Sequence, residues 1–330
     1  MIRFCDGVGR YRPLVLAGIR AAWPNSENKG VEPIFLIDLM DVREKTKEKS
    51  VRPLFAAACL ACLWLFTAGL APPLLAGPVW DGDLVLFQQR EVAAIGTVAE
   101  LGATPVRLLN KARDGRQVVV AEVAAGWTHS LPVQRQHTIE LLVLAGELSW
   151  DSRALAMHDF ALLPAAAPAP AWAAGPEGVS LLLFLDLPQA TDPAVARVLD
   201  SASIAWRPGI VAQQDTGQAL KLEVKDLLWV ESTGQRTWLL RAGADLQVPW
   251  EVHDGVEEGY LLEGDYRIGE CLPGEATPTT GDYLPGGYFY RPGGVVHSGP
   301  ESGSQGGALW LLRTPTRLTV DFVDGCSQRD

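Results

Sequence analysis

The sequence predicts an all-β chain of two tandem barrels behind an N-terminal export signal, and three observations lead there. Its apolar segments are short, and Gly, Pro and Asp interrupt them at intervals of roughly 8 to 15 residues, the spacing of sandwich or barrel strands. Those segments recur as two similar sets, which implies two copies of one domain. A single basic-then-apolar stretch precedes both sets.

In chain order, residues 1–39 are irregular and lie upstream of a basic patch, where export signals do not normally begin. Met40 offers a better start, which makes 1–39 an over-extended reading of the gene. From Met40 the chain reads as a signal peptide over 40–76. Arg43 to Arg52 is basic, Leu54 to Leu70 carries no charge, and Ala76 followed by Gly77 suits cleavage. The alternative is a membrane anchor formed by 54–70, a run slightly short for a spanning helix.

Past residue 80 come the strand-like runs VVVAEV at Val118, IELLVLAGEL at Ile139, ALLP at Ala161 and VSLLLFLDL at Val179. The second set is TWLLRAG at Thr237, GYLLEGDYRIG at Gly259, GGYFYRPGG at Gly286 and ALWLLRT at Ala308. Gly146 aligns with Gly264, Pro164 with Pro292, and Val179 with Gly307. The copies span 77–191 and 205–330. Between them, DPAVARVLDSA from Asp192 reads as a short helix, with Asp192 as cap and Pro193 in the first turn.

A hydrophobic content of 48% over 330 residues marks a globular chain. The net charge of −11, with no basic block outside 43–52, excludes the electrostatic footprint of a nucleic-acid binder. The segment after residue 76 carries no Ser-His-Asp elbow, phosphate loop or CxxC pair. Only Cys271 and Cys326 remain in it, and in an exported chain they form either one disulfide or two free thiols.

The chemistry concentrates in PWEVHDGVEEGYLLEGDYR from Pro249, where a histidine stands among acidic residues before an apolar run. Such groups enter apolar surroundings when they are paired or bind a metal. The second copy contains Glu251-x-His253-x3-Glu257-x6-Gly264 and then Gly286-x5-Pro292-x-Gly294-x2-His297. These resemble the two motifs of the cupin superfamily, G-x5-H-x-H-x(3,4)-E-x6-G and G-x5-P-x-G-x2-H-x3-N. Glu251 replaces the first histidine, and Glu301 the closing asparagine. Within that superfamily the wording is most similar to the ChrR-type cupins, the metal-binding domains of bacterial anti-sigma factors, and to related bicupins.

The resemblance implies a double-stranded β-helix (jelly-roll) barrel for each copy, with His253, Glu257 and His297 as metal ligands in the second. Glu251 either completes the set or points away. A one-residue shift of the turn would substitute Glu258 for Glu257; the count of residues to Gly264 favours Glu257. Mixed imidazole and carboxylate donors suit a divalent Zn, Fe or Mn ion.

The first copy places Val133, Arg135, Ile139 and Ala169 at the four ligand positions, so it is a degenerate, metal-free cupin. The expected function is an exported metal-binding bicupin, an enzyme of the dioxygenase or isomerase type acting on a small organic molecule in the second barrel. The alternative is a non-catalytic metal or ligand sensor, or a structural cupin, like the anti-sigma domains.

Overall fold

A computed structural model describes residues 84–189, 195–209, 222–244 and 246–326, together with the backbone of 3–5 and 11–13. The proposed signal segment, the start at Met40 and the cleavage point lie outside the described residues. The chain divides into two compact units, Met1–Thr67 and Ala68–Asp330. In the first, β1 (Arg3–Cys5) pairs antiparallel with β2 (Tyr11–Pro13). Among the described residues no helix is long and apolar enough to cross a membrane.

The second unit is all β. Its first part runs through β3 (Val85–Gln89), β4 (Ala94–Gly96), β5 (Val106–Lys111), β6 (Gln117–Val123), β7 (Thr128–Ser130), β8 (Thr138–Trp150), β9 (Arg153–Leu155), β10 (Phe160–Leu163), β11 (Ala171–Asp186) and β12 (Arg197–Leu199). The second part comprises β13 (Arg207–Pro208), β14 (Leu222–Val230), β15 (Gln235–Ala242), β16 (Trp250–His253), β17 (Glu257–Gly264), β18 (Tyr266–Glu270), β19 (Thr279–Tyr283), β20 (Gly287–Arg291), β21 (Val296–Gly303), β22 (Ala308–Thr314) and β23 (Val320–Phe322).

One nine-stranded sheet, ordered β12-β10-β8-β11-β6-β5-β4 with β7 on β11 and β9 on β8, forms the first barrel. The second barrel has a seven-stranded sheet, β13-β14-β15-β22-β17-β20-β3, facing a five-stranded one, β19-β18-β21-β16-β23. The strand β3 therefore leaves the sequence of the first copy and completes a sheet of the second. It is seated by Phe87, which adopts a positive φ of 53°, stacks on Tyr283 at 5.0 Å and donates its N–H to the Tyr283 hydroxyl.

The runs that looked continuously apolar are buried on both faces. Side chains alternate along a strand, so Leu141, Val143, Leu181 and Leu183 fill the first barrel while Leu142, Leu182 and Phe184 point outward. These outward groups meet Leu239, Tyr260, Tyr288 and Leu311 of the second barrel in a shared core. A separate cluster including Trp238, Tyr266, Phe289, Trp310 and Leu312 fills the second barrel itself.

Two glycines make the repeat visible in three dimensions. Gly146 (φ +73°) and Gly264 (φ +84°) both take the left-handed region, and a Cβ there would stand 2.2 and 2.0 Å from the carbonyl oxygens of Gly178 and Gly307. Gly146 pairs with Val179 and Gly264 with Ala308, so Ala308, not Gly307, is the counterpart of Val179. A helix from Asp192 does not form in the described part of that stretch. Arg197–Leu199 is the strand β12 on β10, and Asp200, rather than Asp192, caps a single 3-10 turn at Ser201–Ser203.

Candidate metal centre

Two facing rows of side chains build the site. On the five-stranded sheet, Glu251 of β16 lies opposite His297 of β21, which lies opposite Glu270 of β18. Directly opposed residues share a face, so this row of three points into the barrel. His253, two residues along β16, shares that face, while Val252 between them packs behind it with Val296 and Cys271. On the other sheet, Glu257 of β17 pairs with Arg291 of β20.

Three of the four predicted ligands, Glu251, His253 and His297, form one group, and Glu257 approaches it from the histidine side. His297 Nε2 is 3.6 Å from Glu251 Oε1 and 3.6 Å from Glu257 Oε2, and His253 Nε2 is 3.6 Å from the same Glu257 oxygen. Glu251, His253 and His297 each offer a ligand atom within 4.8 Å of the others. Donors bound at roughly 2.1 Å to one tetrahedral ion lie roughly 3.4 Å apart, so the spacing fits. Glu258, the one-residue alternative, faces the other barrel and bonds to Tyr288 and Arg313.

Tautomers also fit. His253 Nδ1 faces the Thr319 carbonyl at 3.2 Å, and His297 Nδ1 faces the Val295 carbonyl at 3.0 Å. A carbonyl only accepts, so each Nδ1 carries a hydrogen, and in a neutral ring the lone pair then sits on Nε2, the nitrogen turned toward the cluster. Burial, reinforced by Arg291 and His253, pushes the His297 imidazole well below its usual range and keeps it neutral. Burial likewise pushes Glu251 up to about 7, although His253 and the Ser298 hydroxyl 3.0 Å away oppose the shift. A carboxyl so desolvated gains from a cation beside it.

Arg291 sets the charge balance. It donates to both oxygens of Glu270 at 2.6 to 3.0 Å and to Glu257 Oε2 at 2.9 Å. Burial alone would lower its pKa, but Glu270 and Glu257 hold it above the usual value. Glu257 is thus shared between the histidine cluster and a guanidinium, while among the described residues no arginine bonds to Glu251.

These donors lie within a cavity of about 600 Å³ that continues between the sheets past Trp238, Phe289 and Trp310. In the first barrel Val133 is exposed, Ile139 and Ala169 pack into the core, and Arg135 is buried. The Arg135 guanidinium donates to the carbonyls of Pro132, Pro164 and Ala167. His137 is held between Glu100 and the Gly115 carbonyl, and His129 bonds to the Glu100 carbonyl. Among the described residues the first barrel offers no converging ligand set.

No protein-family model and no curated protein matches this chain. Solved structures do. A proposed dioxygenase from Nostoc punctiforme is 20% identical over 74% of this chain and 85% of its own, with a TM-score of 0.51. The oxalate decarboxylase of Lactobacillus farciminis is 10% identical over 72% of this chain and 88% of its own, with a TM-score of 0.49. The fold is that of tandem cupins. The second barrel holds the four candidate ligands, and the first has apolar groups and an arginine at the matching positions.

Arg291, Glu270 and Ser298 are the site residues that sequence reasoning missed. Arg291 stands one residue before Pro292 in the second motif, and an arginine inside the apolar run GYFYR was the available signal.

Proposed function

We propose that this chain is an exported metal-dependent bicupin whose C-terminal barrel holds a divalent Zn, Fe or Mn ion on His253, His297, Glu251 and Glu257. It acts there on a small organic molecule, in the manner of a dioxygenase or isomerase. One observation carries the reading: the Glu251 carboxylate and the His253 and His297 imidazoles offer ligand atoms within 4.8 Å of one another, Glu257 lies 3.6 Å from both imidazole Nε2 atoms, and each Nδ1 is already committed to a carbonyl. His253, His297, Glu251 and Glu257 would hold a divalent ion there, and such an ion would supply Lewis-acid chemistry.

The residues around that point do the remaining work. Thr319 and Val295 fix the ring orientations, Arg291 holds Glu257 in place, Ser298 orients Glu251, and Trp238, Phe289 and Trp310 give the cavity an apolar wall. Export is supported by the bond between Cys271 and Cys326, whose Cα atoms are 5.3 Å apart, because disulfides persist in oxidising compartments. Similarity to the ChrR-type cupins rests on the motif wording alone.

Elemental analysis of the purified protein tests the centre. The native chain should hold about one equivalent of metal, His253→Ala combined with His297→Ala should hold none, and Arg135→Ala should match the native chain. Metal retained by the double variant would overturn the assignment. Oxygen-uptake screening of the iron-loaded protein then separates oxygenase from isomerase chemistry.

A further inference from the structure

The cavity around the cluster carries a charge pattern that a metal does not explain. Its buried lining is apolar and aromatic, with Trp238, Phe289, Trp310 and Leu312, whereas its more exposed lining has, among the described residues, Arg207, Arg236 and Arg317 against the single acid Asp226. Asp226 is shared by Arg207 and Arg236, bonding to Arg236 Nε at 2.6 Å and to both Nε and Nη2 of Arg207. One carboxylate cannot neutralise two guanidinium groups, and Arg317 forms no ion pair among the described residues. Glu231, outside the lining, accepts from the Trp229 indole.

In a chain of net charge −11, three arginines at one cavity concentrate positive potential where a molecule would enter. The Arg236 guanidinium lies 4.4 Å from the Trp238 ring centroid, so the cationic rim and the aromatic wall are continuous. A neutral apolar ligand would need no such rim, and an inorganic anion would need no such wall.

We propose that the cavity binds an organic acid with an apolar body. Its carboxylate lies at the rim among Arg207, Arg236 and Arg317, and its body runs along Trp238 and Trp310 toward His253 and His297. This deepens the proposed function and rests on it only for what happens at the inner end.

The test uses two probes of one shape, naphthalene-2-carboxylate and its neutral counterpart 2-naphthylmethanol, titrated calorimetrically into the full chain in metal-free and zinc-loaded forms. The acid should bind roughly tenfold tighter than the alcohol in both forms, since charge-assisted bonds to guanidinium discriminate by about that much. Arg207→Gln combined with Arg317→Gln should remove the preference and leave the alcohol's affinity unchanged. Equal binding of the two probes, or binding of neither, would overturn the inference. A preference seen only with zinc would place the carboxylate on the metal and overturn it too. If the metal-free protein prefers the acid but takes up no metal, the metal reading falls and this one stands.

Discussion

Glu270 and Arg291 are almost fully buried, and the Glu270 charge is compensated by Arg291, which also bonds to Glu257. Burial raises the Glu270 carboxyl, while Arg291 opposes the shift by supplying three donor contacts. Replacing Arg291 with Met should destabilise the protein by about 3 to 5 kcal/mol in urea unfolding, and adding Glu270→Gln should recover part of that loss. An undiminished midpoint in the single variant would mean that Glu270 finds another partner. The candidate ligands could be picked out because histidine and glutamate are sparse in apolar runs and stand here at motif spacing. Arg291 was not, because its partner Glu270 lies 21 residues away and reaches it from the opposite sheet.

At the scale of elements, glycine and cysteine fix the second barrel. Gly264→Ala would place a Cβ against the Gly307 carbonyl in a left-handed backbone, and should cost about 2 kcal/mol or more in chemical denaturation, with Gly146→Ala behaving alike. The disulfide, spanning 55 residues, should contribute roughly 4 kcal/mol on a chain-entropy estimate. It also tethers β23 beside β16, and the chain just before β23 provides the Thr319 carbonyl that orients His253. Reduction should therefore lower metal affinity as well as stability. Unchanged zinc affinity after reduction and alkylation would show that β23 stays in place without the bond. Strand positions were readable because both faces of β8 and β11 are buried and apolar. The helix expected at Asp192 was misread because a capping residue suits a single turn as well as a helix, and Arg197–Leu199 had an edge, β10, to join.

Across the whole molecule, the two barrels meet around one guanidinium. Arg313 of β22 bonds to Glu258 at 2.5 Å, to Glu140 of β8 at 3.0 Å and to Asp186 of β11. Thr237 and Gln235 also donate to Glu140. None of this was legible in the sequence, since Arg313 lies 173 residues from Glu140 and 127 from Asp186, and only folding brings them together. Burial pushes Asp186 up to about 6 despite the attraction of Arg313. The folded state thus holds the Asp186 proton more tightly than the unfolded chain does. Its contribution is fully present below about pH 4 and is lost as pH rises through about 6. The total is at most about 3 kcal/mol. Asp186→Asn should flatten the fall in stability between pH 4.5 and 7 measured by urea unfolding, and an unaltered slope would assign that fall to other groups.

The passage of β3 from the first copy's sequence into the second barrel sets an order in time. Its partner strand β20 follows about 200 residues later, so at synthesis rates of 5 to 20 residues per second β3 waits roughly 10 to 40 s for its place. The first barrel can close during that interval, because its nine strands do not include β3. The second cannot, and meanwhile an unpaired strand bearing Phe87 is a template for pairing with another chain. A polypeptide built this way is safest if a chaperone covers its leading segment until Tyr290 has emerged, and truncations before that point should aggregate rather than yield a smaller working domain.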